Sequence, residues 1–135
     1  MHIVDLDGNT HNWHLTGHMA HGKINHRSTL HIRARHLIST AYPTLQVLEE
    51  VSILLRKNQT LYLDFYLPLK KICYEVHGEQ HYKFVPFYHN NMLTFLKAQA
   101  RDRDKEEWCL HNNIKHVVLS YEEPDEIWYE RIKNA

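Results

Sequence analysis

The sequence predicts one α/β domain with a mixed α+β sheet, in which an αβββαβ core follows an N-terminal hairpin and precedes a C-terminal helix. Its 135 residues are enough to bury a single hydrophobic core. The composition, 43% apolar and 24% charged, is that of a globular chain. Three strand-like runs lie in quick succession between two helical patterns, and this order predicts the fold class. We treat residues 1–135 as one domain, with an arm over 1–26, a core over 27–121 and a terminal helix over 122–135.

The N-terminal arm combines a predicted hairpin with a run of histidines. Residues 2–6 alternate in polarity, Asp7-Gly8-Asn9 favours a turn, and the chain resumes through Trp13, so we expect a peripheral hairpin. Four histidines have the spacing of zinc ligands, namely His11, His14, His18 and His21. Because no cysteine or carboxylate lies among them, we favour contact with phosphate, and a zinc site is left open.

A helix and a three-stranded meander open the predicted core. Ser28 or Thr29 can cap the helix, whose apolar positions recur at helical spacing until the Tyr42-Pro43 pair stops it. Strands are predicted over residues 45–54, 61–67 and 72–77, with a short Pro-Leu-Lys-Lys turn before the third. A long helix over about residues 92–111, a strand over 116–120 and a final helix from about Pro124 complete the order.

Charge is distributed unevenly along a chain whose formal net charge is zero. No acidic residue occurs between Gly8 and Leu48, and the histidines of that stretch can add to its positive charge. This basic stretch predicts contacts with the phosphates of double-stranded DNA, through Lys23, Arg27, His31, Arg33 and Arg35. A merely solvated basic face would have the same composition, so charge alone leaves both interpretations open.

Two carboxylates are predicted to meet on neighbouring strands. The period of two separates Asp64 from its apolar neighbours in the second strand, and it places Cys73, Glu75 and His77 on one face of the third. Antiparallel pairing across a tight turn can bring Asp64 and Glu75 within reach of one cation. Side-by-side carboxylates repel unless a divalent metal lies between them, and oxygen ligands favour Mg²⁺, with Mn²⁺ as a substitute. Two solvated carboxylates on an open sheet face are the alternative.

Polar residues with the chemistry of a catalytic site flank this pair. Gly78 lets the chain turn sharply, and His81 then lies just beyond the carboxylates, where an imidazole can move a proton near neutral pH. On the long helix, Asp102 and Lys105 interrupt an otherwise apolar stripe. Such interruptions are often functional, although a local ion pair covering the sheet edge would produce the same pattern.

Three motifs carry a resemblance to a known family. Residues 63–68 read Leu-Asp-Phe-Tyr-Leu-Pro, residues 74–81 read Tyr-Glu-Val-His-Gly-Glu-Gln-His, and residues 101–109 contain Arg-Asp-Arg-Asp-Lys and Trp-Cys. In this order they resemble the PD-(D/E)XK nuclease superfamily, in particular the branch with the very-short-patch-repair endonucleases and the phage-encoded EDxHD homing endonucleases. The resemblance covers about residues 45–121 and implies a restriction-endonuclease-like core. Each motif is weak alone, and their order and spacing make the combination specific.

The resemblance implies a metal-binding role for residues on the meander. Asp64 and Glu75 would bind the metal, with help from the carbonyl of Val76. Glu50 would be the additional acid, with Glu49 as its alternative.

The resemblance also implies how the reaction is carried out. His81 would be the general base toward the attacking water, and Asp102 matches the helical aspartate of the family pattern. The lysine of the family signature is replaced by His77, which removes a permanent charge from its usual place. Lys105 is the expected substitute.

These observations predict a single nuclease domain that hydrolyses phosphodiester bonds as a metal-dependent DNA endonuclease of a phage homing type or a repair type. The alternatives are a structure-selective junction or repair nuclease and a non-catalytic DNA-binding module on the same fold. None of Asp64, Glu75 and His81 is replaced by a neutral residue, which favours the enzyme. Whether it acts as a homodimer is left open.

Targeting signals and cysteines bear on the compartment. The sequence has no signal-peptide pattern and no apolar stretch long enough to span a bilayer. We therefore expect a cytoplasmic protein without a membrane partner, in the bacterial host cytoplasm if it is phage-encoded. Cys73 and Cys109 are expected to be buried free thiols.

Overall fold

A computed structural model describes residues 2–13, 15, 18–19 and 28–135 of the chain. Its strands are β1 (His2–Val4), β2 (Thr10–Asn12), β3 (His18–Met19), β4 (Leu48–Arg56), β5 (Gln59–Leu67), β6 (Ile72–His77) and β7 (Lys115–Ser120). Its helices are α1 (Thr29–Ala41), α2 (Met92–His111) and α3 (Asp125–Lys133), with a 3-10 turn over Glu79–His81. The predicted α/β class and the αβββαβ order from α1 to β7 are confirmed.

One mixed sheet forms the middle of the fold, in the order β3-β4-β5-β6-β7. The strands β4, β5 and β6 make the predicted antiparallel meander, and β7 returns parallel to β6 after α2. Strand β4 continues past the predicted end at residue 54, because a two-residue turn at Lys57 and Asn58 closes the hairpin. Asn58 adopts a φ of +63°, which asparagine tolerates better than most residues. The turn lacks the Asn-Gly pair that marks such hairpins in a sequence.

Each face of the sheet is covered by its own apolar cluster. Helices α1 and α3 cover one face, where Ile38 and Trp128 are buried with Phe65 of β5. Helix α2 and the N-terminal hairpin cover the other face, where Trp108 packs with Trp13. The sheet is therefore sandwiched between two layers, and side chains on its α2 face are shielded from solvent.

The β1–β2 hairpin is part of the core, so the expectation of a peripheral hairpin is wrong. Ile3 is 2% exposed, and the ring of Trp13 lies 5.3 Å from that of Trp108. Asn112, at the end of α2, fastens the hairpin: its Oδ1 accepts from the Val4 amide at 2.7 Å and its Nδ2 donates to the Val4 carbonyl at 2.9 Å. An apolar edge on so short a hairpin is stable only when another layer covers it.

The helices begin at residues whose side chains accept hydrogen bonds. The Ser28 hydroxyl accepts from the His31 amide at 3.1 Å and confirms one of the two predicted caps of α1. Asn91 caps α2 in the same way through the Thr94 amide at 2.9 Å. Within the described parts of the chain, none of these helices combines the length and apolar character that crossing a membrane requires.

Candidate active site

The two predicted carboxylates meet where main-chain pairing between β5 and β6 ends. The last paired residues are Phe65 and Tyr74. Beyond them, Asp64 Oδ2 accepts a hydrogen bond from the Val76 amide at 2.8 Å, and Glu75 Oε2 accepts one from the Asp64 amide at 3.3 Å. Each carboxylate thus replaces a main-chain acceptor of the neighbouring strand. This arrangement holds the two acids side by side without any third element.

Glu75 is the most unusual polar group of the site. Its side chain is almost completely buried, at 2% exposure, and its Oε1 has no hydrogen-bond partner among the described residues. Burial, and then the nearby charge of Asp64, raise the pKa of Glu75 well above its usual value. An unpaired buried carboxylate oxygen is costly unless a cation compensates it. The pair therefore offers oxygen ligands whose two negative charges call for positive charge nearby.

Lys105 supplies part of that charge. It projects from α2 with a mostly buried side chain, and its Nζ lies 3.4 Å from Glu75 Oε1, within ion-pair range but without hydrogen-bond alignment. Burial alone would lower the pKa of Lys105, but the Glu75 and Asp64 carboxylates outweigh it and raise that pKa above its usual value. The ammonium group is therefore charged and lies beside the carboxylate pair. Lys105 is the residue predicted from the sequence to substitute for a lysine at position 77.

A histidine and an aspartate from different elements form a second pair. His81 lies at the end of the 3-10 turn after β6, and its Nδ1 is 2.8 Å from Asp102 Oδ2 on α2. Burial would raise the pKa of Asp102, but the hydrogen bond and charge of His81 outweigh it and lower the pKa. Because an ionised carboxylate only accepts, the Nδ1 of His81 carries the proton in this pair. In the neutral ring, Nε2 is then left with a free lone pair.

His77 supports the ring of His81 and carries no charge. The two imidazoles are stacked, with centroids 4.1 Å apart and planes 3° from parallel. Burial and the proximity of His81 lower the pKa of His77 to about 4. A neutral ring does not supply the positive charge that a lysine would carry at this position.

Gly78, which joins β6 to the 3-10 turn, has a backbone that any residue can adopt. Its φ is −79° and its ψ is −178°, an extended conformation. Gly78 was expected to let the chain turn sharply, but this backbone conformation does not depend on glycine. A Cβ at this position would approach Gln80 Oε1 at 2.5 Å, the end of a flexible side chain that can move.

Two adjoining cavities open over these groups. One has a volume of about 270 Å³ and the other about 350 Å³, and both are lined by Asp64, His81 and Lys105. Glu75 and Val76 line the first cavity, and Asp102 lines the second. The structure thus brings together the acids, the histidine, the aspartate and the lysine that the sequence singles out.

Two further residues at the second cavity were not anticipated. Tyr62 is 56% exposed and lies two positions before Asp64, and the exposed Arg101 lies one helical turn before Lys105. The signal was present in the spacing, because residues i and i+2 of a strand and i and i+4 of a helix share a face. Arg101 adds a solvent-accessible positive charge at the rim of the site.

Neither candidate for the additional acid, Glu49 or Glu50, lines the two cavities that Asp64 lines. Glu49 is buried and bound by Arg35 and His31. Burial would raise the pKa of Glu49, but the hydrogen bonds and charges of these two partners outweigh it and lower the pKa. Glu50 is half-buried, has a φ of +52° and lines neither cavity. His31 itself lines the first cavity. A metal-binding role for Glu50 stays a prediction that this geometry does not support.

The residues predicted to contact DNA phosphates have other partners where the structure describes them. Arg35 donates to both oxygens of Glu49 at 2.9 Å, and both side chains are buried. The guanidinium of Arg33 lies 3.6 Å from the centre of the Trp128 ring and forms an ion pair with Asp125. These contacts fasten α1 to the sheet and to α3, so they favour a structural role over phosphate binding. Other basic and histidine residues of the arm lie outside the described residues, namely His14, His21, Lys23, His26 and Arg27.

Comparison with known proteins finds two viral relatives of part of this chain. Over 64 residues, 47% of the chain, it is 39% identical to the uncharacterized protein 307L of Invertebrate iridescent virus 6. Over 81 residues, 57% of the chain, it is 30% identical to the uncharacterized protein 033L of Invertebrate iridescent virus 3. These matches cover 32% and 42% of the two relatives, so the chain spans less than half of either. No family model and no solved structure matches.

Proposed function

We propose that this protein is a DNA endonuclease that hydrolyses phosphodiester bonds and depends on a divalent metal. The observation that carries the proposal is the Asp64–Glu75 pair, in which the buried Glu75 has a carboxylate oxygen without a hydrogen bond, beside an imidazole held by a carboxylate. Paired acids need a cation, and a histidine oriented through Nδ1 suits proton transfer. A phosphodiester is a substrate that can use both at one place.

The residues present fit a hard divalent ion. Asp64 and Glu75 would hold Mg²⁺, or Mn²⁺ in its place, because both prefer carboxylate oxygens. When bound, the ion supplies Lewis-acid stabilisation of the charge that develops on the phosphate oxygens. The Oε1 of Glu75 has an ion pair with Lys105 but no hydrogen bond, and such an ion would offset the cost of burying it.

His81 is proposed as the general base. Asp102 fixes its tautomer, so Nε2 is the nitrogen that can take a proton from the attacking water. The stacked, neutral ring of His77 restricts rotation of His81 without adding a competing charge. This arrangement orients the base before substrate arrives, which lowers the entropic cost of reaching the reactive geometry.

Lys105 and Arg101 are proposed to attract the phosphate. The ammonium of Lys105 lies at the carboxylate pair and lines both cavities, and Arg101 lies at the rim of one of them. Positive charge next to the acids offsets their repulsion of a phosphodiester anion. The mechanism therefore uses charge from α2 where the family pattern has a lysine on the strand.

Single-turnover cleavage by the purified protein tests the proposal. Supercoiled, linear and branched DNA are offered together with Mg²⁺, which also separates a structure-selective nuclease from a sequence-directed one. Cleavage is expected to require Mg²⁺ or Mn²⁺ and to vanish with excess chelator. His81→Ala is expected to reduce the rate by about a hundredfold or more, with DNA affinity nearly unchanged.

Controls distinguish a catalytic histidine from a structural one. His111→Ala changes an exposed histidine at the far end of α2, and it is expected to keep the full rate. Asp102→Asn is expected to lie between His81→Ala and wild type, because the base remains but its tautomer is no longer fixed. Full cleavage in chelator, or a destabilised His81→Ala protein with an unchanged rate per folded molecule, contradicts the proposal.

A further inference from the structure

A second group of potential metal ligands lies beneath the carboxylate pair, on the face of the sheet that α2 covers. The parallel register of β6 and β7 places Cys73 opposite His116, and Glu75 is two positions along β6 from Cys73. One ligand atom from each of these three side chains lies within 4.8 Å of the others. The pairing of distant strands, and not a sequence motif, assembles this group.

Two of the three side chains have buried polar atoms that make no hydrogen bond, although Lys105 forms an ion pair with Glu75. Glu75 Oε1 and His116 Nε2 make no hydrogen bond among the described residues, and Glu75 is 98% buried. Leaving a buried polar atom without a hydrogen bond is destabilising. Two such atoms lie in one small group with the fully buried thiol of Cys73, which has Cys109 as a hydrogen-bond partner. A cation bound by all three side chains would satisfy both of the atoms that lack a hydrogen bond.

The chemistry of the ligands selects the class of ion. A cysteine sulfur and an imidazole nitrogen suit zinc and other borderline or soft transition ions, whereas Mg²⁺ prefers oxygen alone. We propose that Cys73, Glu75 and His116 form a binding site for a thiophilic divalent ion of the Zn²⁺ class. On binding, the Cys73 thiol releases its proton to solvent and the thiolate ligates the ion.

This site shares Glu75 with the carboxylate pair, which links the two. A thiophilic ion that takes Glu75 removes one of the two oxygen ligands from Mg²⁺, and its charge repels the ammonium of Lys105, 3.4 Å from Glu75 Oε1. Zn²⁺ is therefore expected to inhibit cleavage. This consequence rests on the proposed nuclease function, whereas binding of the ion does not.

Titration of the reduced, full-length protein with Co²⁺ tests the binding. Cobalt bound to a thiolate gives a near-ultraviolet charge-transfer band that histidine or carboxylate ligands alone do not give, so any binding by the N-terminal histidines is told apart. Wild type is expected to show this band at one equivalent of Co²⁺ and to lose it when one equivalent of Zn²⁺ is added.

Matched variants assign the ligands. Cys73→Ser is expected to lose the band and to weaken Co²⁺ binding by about a hundredfold or more. This loss is larger than the one expected when a substitution removes only a hydrogen-bond partner of a metal ligand. Cys109→Ser changes the other buried cysteine, a hydrogen-bond partner of Cys73, and is expected to keep the band because the Cys73 thiolate remains. His116→Asn retains the thiol and is expected to weaken binding, so the site is tested even if Cys73→Ser fails to fold. Absence of the band in wild type, or its loss in Cys109→Ser alone, overturns the proposal.

A cleavage assay then tests the link between the two sites. In the presence of Mg²⁺, stoichiometric Zn²⁺ is expected to lower the wild-type rate at least about tenfold and to leave Cys73→Ser largely unaffected. A band in the cobalt titration without any nuclease activity refutes the proposed function and keeps the metal site. Nuclease activity in a protein that shows no band keeps the proposed function and refutes the metal site.

Discussion

Replacing Arg35 with leucine is expected to destabilise the protein strongly, although the sequence presents this residue as a surface contact for DNA. The guanidinium donates to both oxygens of Glu49 at 2.9 Å, and the two side chains are 10% and 1% exposed. Arg35→Leu removes both bonds from a buried carboxylate that His31 also contacts. Glu49 then keeps its buried charge without the guanidinium that bound both of its oxygens.

The expected loss follows from the burial of this pair. Breaking a buried ion pair by removing one partner costs about 3–5 kcal/mol, and the remaining His31 contact places the value near 3 kcal/mol. A domain is stable by only about 5–15 kcal/mol, so the midpoint of thermal unfolding is expected to fall by roughly 10 °C. Arg35→Leu combined with Glu49→Leu also removes the buried carboxylate and is expected to recover at least half of the lost free energy of unfolding.

Urea denaturation at neutral pH measures these effects. Arg56→Leu is the matched control, because its ion pair with Asp104 is partly exposed, at 37% and 25%, and is expected to contribute no more than about 1 kcal/mol. A loss below 1 kcal/mol in Arg35→Leu, or a double variant no more stable than the single one, refutes the reasoning. An unchanged stability with a smaller salt dependence of DNA binding would support the phosphate contact that the sequence suggests.

Two other perturbations test the placement of single side chains. Asn112→Ala removes both side-chain bonds to Val4 and is expected to cost about 1–2 kcal/mol, with residues 2–12 losing hydrogen-exchange protection more than the sheet does; equal losses throughout would contradict this. His77 has a pKa of about 4 in the folded protein against 6.5 ordinarily, so the unfolded state binds more protons between these values. Stability from this group is full above pH 6.5 and is lost as the pH falls to about 4, by roughly 3 kcal/mol at most, less what solvent screening removes. His77→Gln should flatten that part of the pH profile measured by urea denaturation, and an unchanged slope would show that His77 is not its source.

The local pattern determined the elements and their order. Strand β6 and helix α2 have the bounds that the sequence predicts. Both predictions depend on neighbouring residues, namely the pattern over residues 72–77 and the residues at which the helical pattern over 92–111 begins and ends. The proximity of Asp64 and Glu75 was also predictable, since one tight turn fixes which residues of β5 and β6 are opposite each other. The period of two does not hold through Asp64, because Leu63 packs in one core cluster and Phe65 in the other. The position of His81 near this pair was also predictable, because His81 lies only four residues after His77, the end of β6.

Contacts between distant elements were decided by the tertiary structure. Arg35 has the same charge whether it meets a DNA phosphate or a buried Glu49, and only the packing of α1 on β4 selects the second. Asp102 could have paired with any nearby cation until the crossing of α2 placed it at His81. Cys73 and His116 are 43 positions apart and meet because β7 returns parallel to β6. Periodicity states which face a side chain occupies, whereas its partner depends on which element covers that face, and this is settled only when the whole core packs.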